Sequence, residues 1–170
     1  MVEREIIDAL TYRGRDIAVL WKDAIRKAPQ LKHYNALEDE KLIEFNGHLY
    51  PVLAKTLELG MDRSLVGSYF VRMGKDRMRL GFPVSEILYA LNLCQNTVIE
   101  FLLSELPLDN SLRMYQTVDA IKRISGFFLL SSFYVTKGFL EETYTSMNIN
   151  EAVSEELLKR YFKDDFFFKQ

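Results

Sequence analysis

Apolar residues recur at steps of three and four along most of the chain, the spacing that lines one face of a helix. Between Glu3 and Lys27, Ile6, Leu10, Ile17, Leu20, Trp21 and Ala24 share such a face with charges opposite, which predicts one amphipathic helix stopped before Pro29. A second segment runs from Leu37 to Leu59; its acidic start, Glu38-Asp39-Glu40, suits the positive end of a helix dipole. Gly47 and Pro51 predict its division into two short helices, the second closing at Gly60. A third segment starts after Asp62 or Ser64, either of which suits a cap, and ends at Leu80 with Gly81 as its stop. Gly81 is expected in a left-handed conformation, with Phe82 folding back on the helix pair. The fourth segment spans Val84 to Leu106, with Ile87, Leu91, Cys94, Val98, Phe101 and Leu102 on one face and Pro107 beyond its end.

The fifth segment, from Asn110 to about Ser146, is the longest. Met114, Val118, Ile121, Phe128, Val135 and Phe139 form its main stripe, but between Phe127 and Val135 the pattern turns apolar all round. A helix apolar on every side is covered on every side. A small bundle covers two faces of it, so a second subunit is expected on the third, with Ser125, Gly126, Ser131 and Ser132 permitting close approach. Phe127, Phe128, Leu130, Phe133 and Tyr134 are the candidates for core and interface, and a homodimer follows from them. A last segment from about Asn150 carries Leu157, Leu158, Tyr161 and Phe162 at helical spacing, then Phe166-Phe167-Phe168. This tail is expected to dock on protein; membrane-surface attachment is its rival, and Lys163 and Lys169 beside Asp164 and Asp165 suit anionic lipid poorly.

No strand alternation, repeat or flexible linker interrupts this pattern. The expected fold is all-α: a single helical bundle of about six helices with one long buried helix. Residues 1–146 form the main domain, and residues 147–170 a C-terminal helix and aromatic tail. A chain of 170 residues, 48% hydrophobic, is large enough for one core and too apolar for disorder. With 22 basic against 24 acidic residues it has no global field for nucleic acid. Met1 to Leu10 lacks the apolar run of a signal peptide, and the apolar stretch Ile124–Val135 is shorter than the roughly 20 residues of a membrane span. A cytoplasmic protein without a membrane span is the expectation.

The join between segments three and four, Gly74-Lys75-Asp76-Arg77-Met78-Arg79-Leu80-Gly81-Phe82-Pro83-Val84-Ser85-Glu86-Ile87-Leu88-Tyr89, resembles the helical N-terminal domain of the RsbR-type co-antagonists. Those proteins regulate the bacterial general stress sigma factor, and similar domains precede sensor histidine kinases. The first helix with Leu20-Trp21-Lys22 and the long penultimate helix also fit, so the likeness covers roughly Glu3 to Ser146. It implies a globin-related or bundle-like helical dimer that holds no haem and feeds a signal to an effector. The chain departs from the larger family proteins in stopping soon after the sensor.

Reactive chemistry is sparse. His33 follows Pro29 in a connection and His48 lies at the helix break, so both read as surface or capping histidines. Two histidines and one remote cysteine match no zinc spacing, and the acidic pairs Glu141-Glu142 and Glu155-Glu156 read as solvated faces. Cys94, the single cysteine, excludes an intrachain disulfide and reads as a small core residue. No nucleophile elbow, phosphate loop or dinucleotide fingerprint occurs. No catalytic, cofactor or metal site is expected. Arg72, Lys75 and Arg79 share a helix face, with Arg77 on another, and are the candidates for meeting a carboxylate, a phosphate or an acidic partner. The leading reading is a non-catalytic sensory or regulatory domain that dimerises and signals to a protein effector by helix repacking. The alternative is a small-molecule or cofactor carrier with a pocket among the aromatics.

Overall fold

Eight helices make up the residues described, 2–149, in the computed structural model of the chain, and these residues contain no strand. The fold is all-α. In order they are α1 (Val2–Tyr12), α2 (Gly14–Arg26), α3 (Lys32–Asn35), α4 (Asp39–Gly47), α5 (Leu49–Leu59), α6 (Arg63–Arg79), α7 (Val84–Glu105) and α8 (Ser111–Ile149). The segment from Asn150 onward, with Leu157 and the three consecutive phenylalanines, lies outside the described residues.

Segment one is two helices. Arg13 leaves helical geometry at φ −116°, ψ 18° between α1 and α2, although its backbone still bonds back to Ala9 and forward to Ile17. The cause is tertiary: Gly14 lies against the ring of Tyr50, where an added Cβ would sit 3.2 Å from Cδ2. The bend aims α1 at α5 and α2 at α4 and α7. Ile6, Leu10, Ile17 and Trp21 are buried on the continuous stripe as expected, whereas Leu20 is exposed. Trp21 donates its indole N–H to the Ala90 carbonyl at 2.9 Å, which satisfies a buried donor and ties α2 to α7.

Local signals place the remaining boundaries. The Asp62 carboxylate accepts from the N–H groups of Ser64 (2.9 Å) and Leu65 (3.2 Å), so Asp62 caps α6. At the other end, Gly81 at φ 80° donates to Met78 and Phe82 donates to Arg77, both at 3.0 Å, the paired bonds of a Schellman stop. Phe82 folds back as expected, edge-on to Tyr34 with ring centroids 4.7 Å apart. Nothing lies within 4 Å of a Cβ built on Gly81, so only its backbone conformation resists substitution. Gly81→Val should therefore lower stability by about 1–2 kcal/mol, the cost of a left-handed β-branched residue. An unchanged urea midpoint would contradict that assignment.

The two long C-terminal helices position everything that follows. α7 buries Ile87, Leu91, Cys94, Val98, Phe101 and Leu102 as the periodicity predicts. Among the described helices it alone is long and apolar enough to cross a membrane, with mean hydropathy 1.2, and here it packs against α2 and α8. α8 has 39 residues, about 58 Å at 1.5 Å per residue. Its buried seam is Thr117, Ala120, Ile124, Phe127, Phe128, Ser131 and Val135. Met114 and Val118, expected on the inner stripe, are exposed.

The α6–α8 crossing explains that seam. A Cβ on Gly74 would collide with the Val135 carbonyl oxygen and lie 2.8 Å from the Phe139 nitrogen; one on Gly138 would collide with the Val71 carbonyl oxygen. The two helices thus meet backbone to backbone through reciprocal glycines. The small residues of this stretch bond within the chain. Ser131 and Ser132 donate to the carbonyls of Phe127 (2.7 Å) and Phe128 (3.0 Å), and Ser125 accepts from Gln95 at 3.3 Å. Gly126 alone faces open space.

Candidate functional site

The Asp-capped, glycine-stopped α6 carries its basic residues on two faces, and the two faces have different surroundings. On the α8 side, Lys75 Nζ lies 3.3 Å from Glu141, and Arg79 makes a fork to Glu142 at 2.8 and 3.1 Å while also reaching Asp76 at 3.2 Å. Two of the three candidate cations are thus engaged by the acidic pair of α8. Arg72 is exposed. The basic face braces the helix crossing.

Arg77 is the cation that points inward. In the register of Val66, Phe70 and Gly74, it is 9% exposed, and its Nε is buried with no hydrogen-bond partner. The guanidinium carbon stands 3.7 Å from the centroid of Phe45 and 5.8 Å from that of Phe82. It lines a cavity of about 30 Å³ where six helices converge: Trp21 of α2, Tyr34 of α3, Phe45 and Asn46 of α4, Leu49 of α5, Met73 of α6, and Ile87, Ala90, Leu91 and Cys94 of α7. That volume admits about two or three water-sized groups.

The other polar groups around the cavity are neutral. Burial pushes the Tyr34 hydroxyl up, and the charge and hydrogen bonding of Arg77 oppose it only in part. Burial drives the Cys94 thiol up to about 11, against its hydrogen bonds with Asn46 and Tyr50. Asn46 donates to Cys94 Sγ at 3.2 Å, and Tyr50 donates to the Asn46 carbonyl oxygen. Cys94 is a protonated, fully enclosed thiol near neutral pH, the opposite of an activated nucleophile. Glu86, in the first turn of α7, is engaged by His33, which donates its backbone N–H at 2.9 Å and places Nδ1 2.8 Å from the other oxygen. His48 is exposed at the α4–α5 joint. Among the described residues, no cluster of three or more His, Cys, Asp or Glu is placed to hold a metal ion.

The aromatic candidates of α8 divide by face. Phe127 and Phe128 are buried in the core, Phe127 edge-on to Phe70 at 5.5 Å. Leu130 is half-buried, and Tyr134 lies over Gly67, its ring 3.1 Å from where a Cβ would stand. Phe133 is 48% exposed beside Leu129 at 76%, and Tyr115 at 72% continues that outer face toward the start of the helix. Neither a family model, nor a curated protein, nor a solved structure matches the chain.

Arg77 is the functional candidate that the charge pattern alone obscured. Its signal was register: a cation three residues after Gly74 and seven after Phe70 falls on the buried side of α6.

Proposed function

We propose that the chain is a non-catalytic sensory or regulatory module of the RsbR type, which pairs with a second copy through the outer face of α8 and acts in the cytoplasm on a protein effector by repacking its helices. The observation that carries this reading is the pair of opposed apolar faces on α8. The inner one is locked to α6, and the outer one carries Tyr115, Val118, Leu129 and Phe133, each at least 46% exposed among the described residues. Large contiguous apolar surfaces mark interaction sites.

The outer face is self-complementary, which favours a second copy as its occupant. An antiparallel pair with its two-fold axis level with residue 124 sets Tyr115 against Phe133 and the long side chain of Lys122 against open Gly126. Such an isologous contact closes on itself. The carrier alternative draws on the Arg77 cavity, and the two readings join if the cavity holds the signal. A ligand preferring one packing of α6 on α8 shifts the population toward that packing.

Sedimentation at micromolar concentration should give a mass near twice 19.9 kDa. Leu129→Glu with Phe133→Glu should give a monomer with unchanged helix content. A monomeric wild-type chain would overturn the pairing.

A further inference from the structure

Arg77 presents an unresolved electrostatic demand. Its guanidinium keeps its charge at any ordinary pH. A buried charge without an ionic partner is costly, and native proteins pair such groups. Among the described residues no carboxylate is ion-paired with Arg77, whereas Arg79 pairs with Glu142, Arg113 with Glu5 and Arg123 with Glu3. The acidic side chains of the last turn of α6 and the first turn of α7 are committed elsewhere, Asp76 to Arg79 and Glu86 to His33. What surrounds Arg77 instead is the Phe45 ring, Tyr34 and the small cavity that the side chain lines, and its buried Nε has no hydrogen-bond partner.

The cavity states what would fit. Its single charge is positive, so an anion complements it. A guanidinium edge offers two parallel donors, which match the planar fork of a carboxylate. The volume of about 30 Å³ suits a carboxylate head with a very short tail, and the remaining wall is apolar, with Met73, Ile87 and Leu91. A tetrahedral dianion would need more donors than this wall provides. Water in the cavity would leave the charge unanswered.

We propose that the cavity beside Arg77 is a receptor site for a small monocarboxylate, held by the guanidinium edge and seated on the apolar wall of α7. This deepens the sensory reading and rests on it only for the consequence at α8. Arg77 lies in the last turn of α6, between Lys75 and Arg79, which grip Glu141 and Glu142. An anion that draws Arg77 therefore acts on the turn of α6 that is tied to α8.

Trp21, the only tryptophan, lines the cavity and reports its occupancy. The full chain is titrated with sodium formate, acetate and benzoate at constant ionic strength, with sodium chloride as the reference salt. Formate and acetate should change Trp21 fluorescence saturably and raise the melting temperature by mass action, whereas benzoate and chloride should not. Arg77→Met should weaken acetate binding by about tenfold or more, the loss expected for a charge-assisted hydrogen bond. Ala90→Val narrows the cavity without touching the charge and should weaken binding too, which keeps the test valid if the Arg77 variant does not fold. No saturable response to formate or acetate, an equal response to chloride or benzoate, or undiminished binding in Ala90→Val overturns the proposal. Sedimentation in the presence of acetate separates the two readings. A saturable Trp21 response with no change in dimer affinity supports the site and removes its signalling role; dimerisation without a Trp21 response removes the carboxylate site alone.

Discussion

Gly74→Ala is expected to destabilise the fold by about 3 kcal/mol or more, at or above the top of the usual range for overpacking. The new methyl group would meet backbone, the Val135 carbonyl oxygen and the Phe139 nitrogen, and backbone has no rotamer by which to move aside. α6 must then stand off α8, opening the seam that holds Phe70 and Phe127 and stretching the Lys75–Glu141 and Arg79–Glu142 pairs. Gly138→Ala should act alike, because its methyl group meets the carbonyl of Val71. Gly126→Ala supplies the control on the same helix. Nothing in its own chain lies within 4 Å of the added carbon, so the better helix propensity of alanine should stabilise the dilute monomer by up to about 1 kcal/mol. Urea unfolding of the three variants reads all three signs. A Gly74→Ala protein as stable as the wild type would mean that the two helices do not meet backbone to backbone.

Where the chain turns by local chemistry, the sequence was legible. Asp62 caps α6 because a carboxylate accepts from free N–H groups, and Gly81 stops it because a left-handed residue closes the last carbonyls. These devices act within five residues. The bend at Arg13 was not legible: apolar periodicity runs through it, and Tyr50, whose ring lies against Gly14, is distant in sequence. α3, only four residues long, falls below the length at which periodicity carries information. The two faces of α8 were ambiguous for another reason. A stretch apolar on every side has no preferred direction, and Gly74 and Gly138 on two separate helices decide which side turns inward. The candidate site shows the same division. Cations of α6 stood out by composition, but their partners Glu141 and Glu142 lie more than sixty residues away and read as a solvated face. Only Arg77 had a local signal, its place in the Phe70–Gly74 register.

Phe127→Ala should lower stability by about 3–5 kcal/mol, the range for removing a buried phenylalanine. Phe127 has no exposed surface, and its ring stands nearly perpendicular to Phe70 at 5.5 Å and to Phe128 at 5.4 Å. Truncation removes both edge-to-face contacts and leaves a cavity at the α6–α8 seam, where backbone contact at Gly74 and Gly138 prevents the helices from closing in. The loss belongs to the core of one chain, so it should not depend on protein concentration. Phe133→Ala, six residues on and 48% exposed, gives the contrast. If the outer face of α8 joins two copies, this substitution should cost the dilute monomer less than Phe127→Ala does and should also weaken association, since binding of like subunits makes apparent stability depend on concentration. Unfolding measured across a dilution series distinguishes the two. A large concentration-independent loss in Phe133→Ala would place that ring in the core of the chain, and a small loss in Phe127→Ala would show that the α6–α8 seam relaxes around the hole.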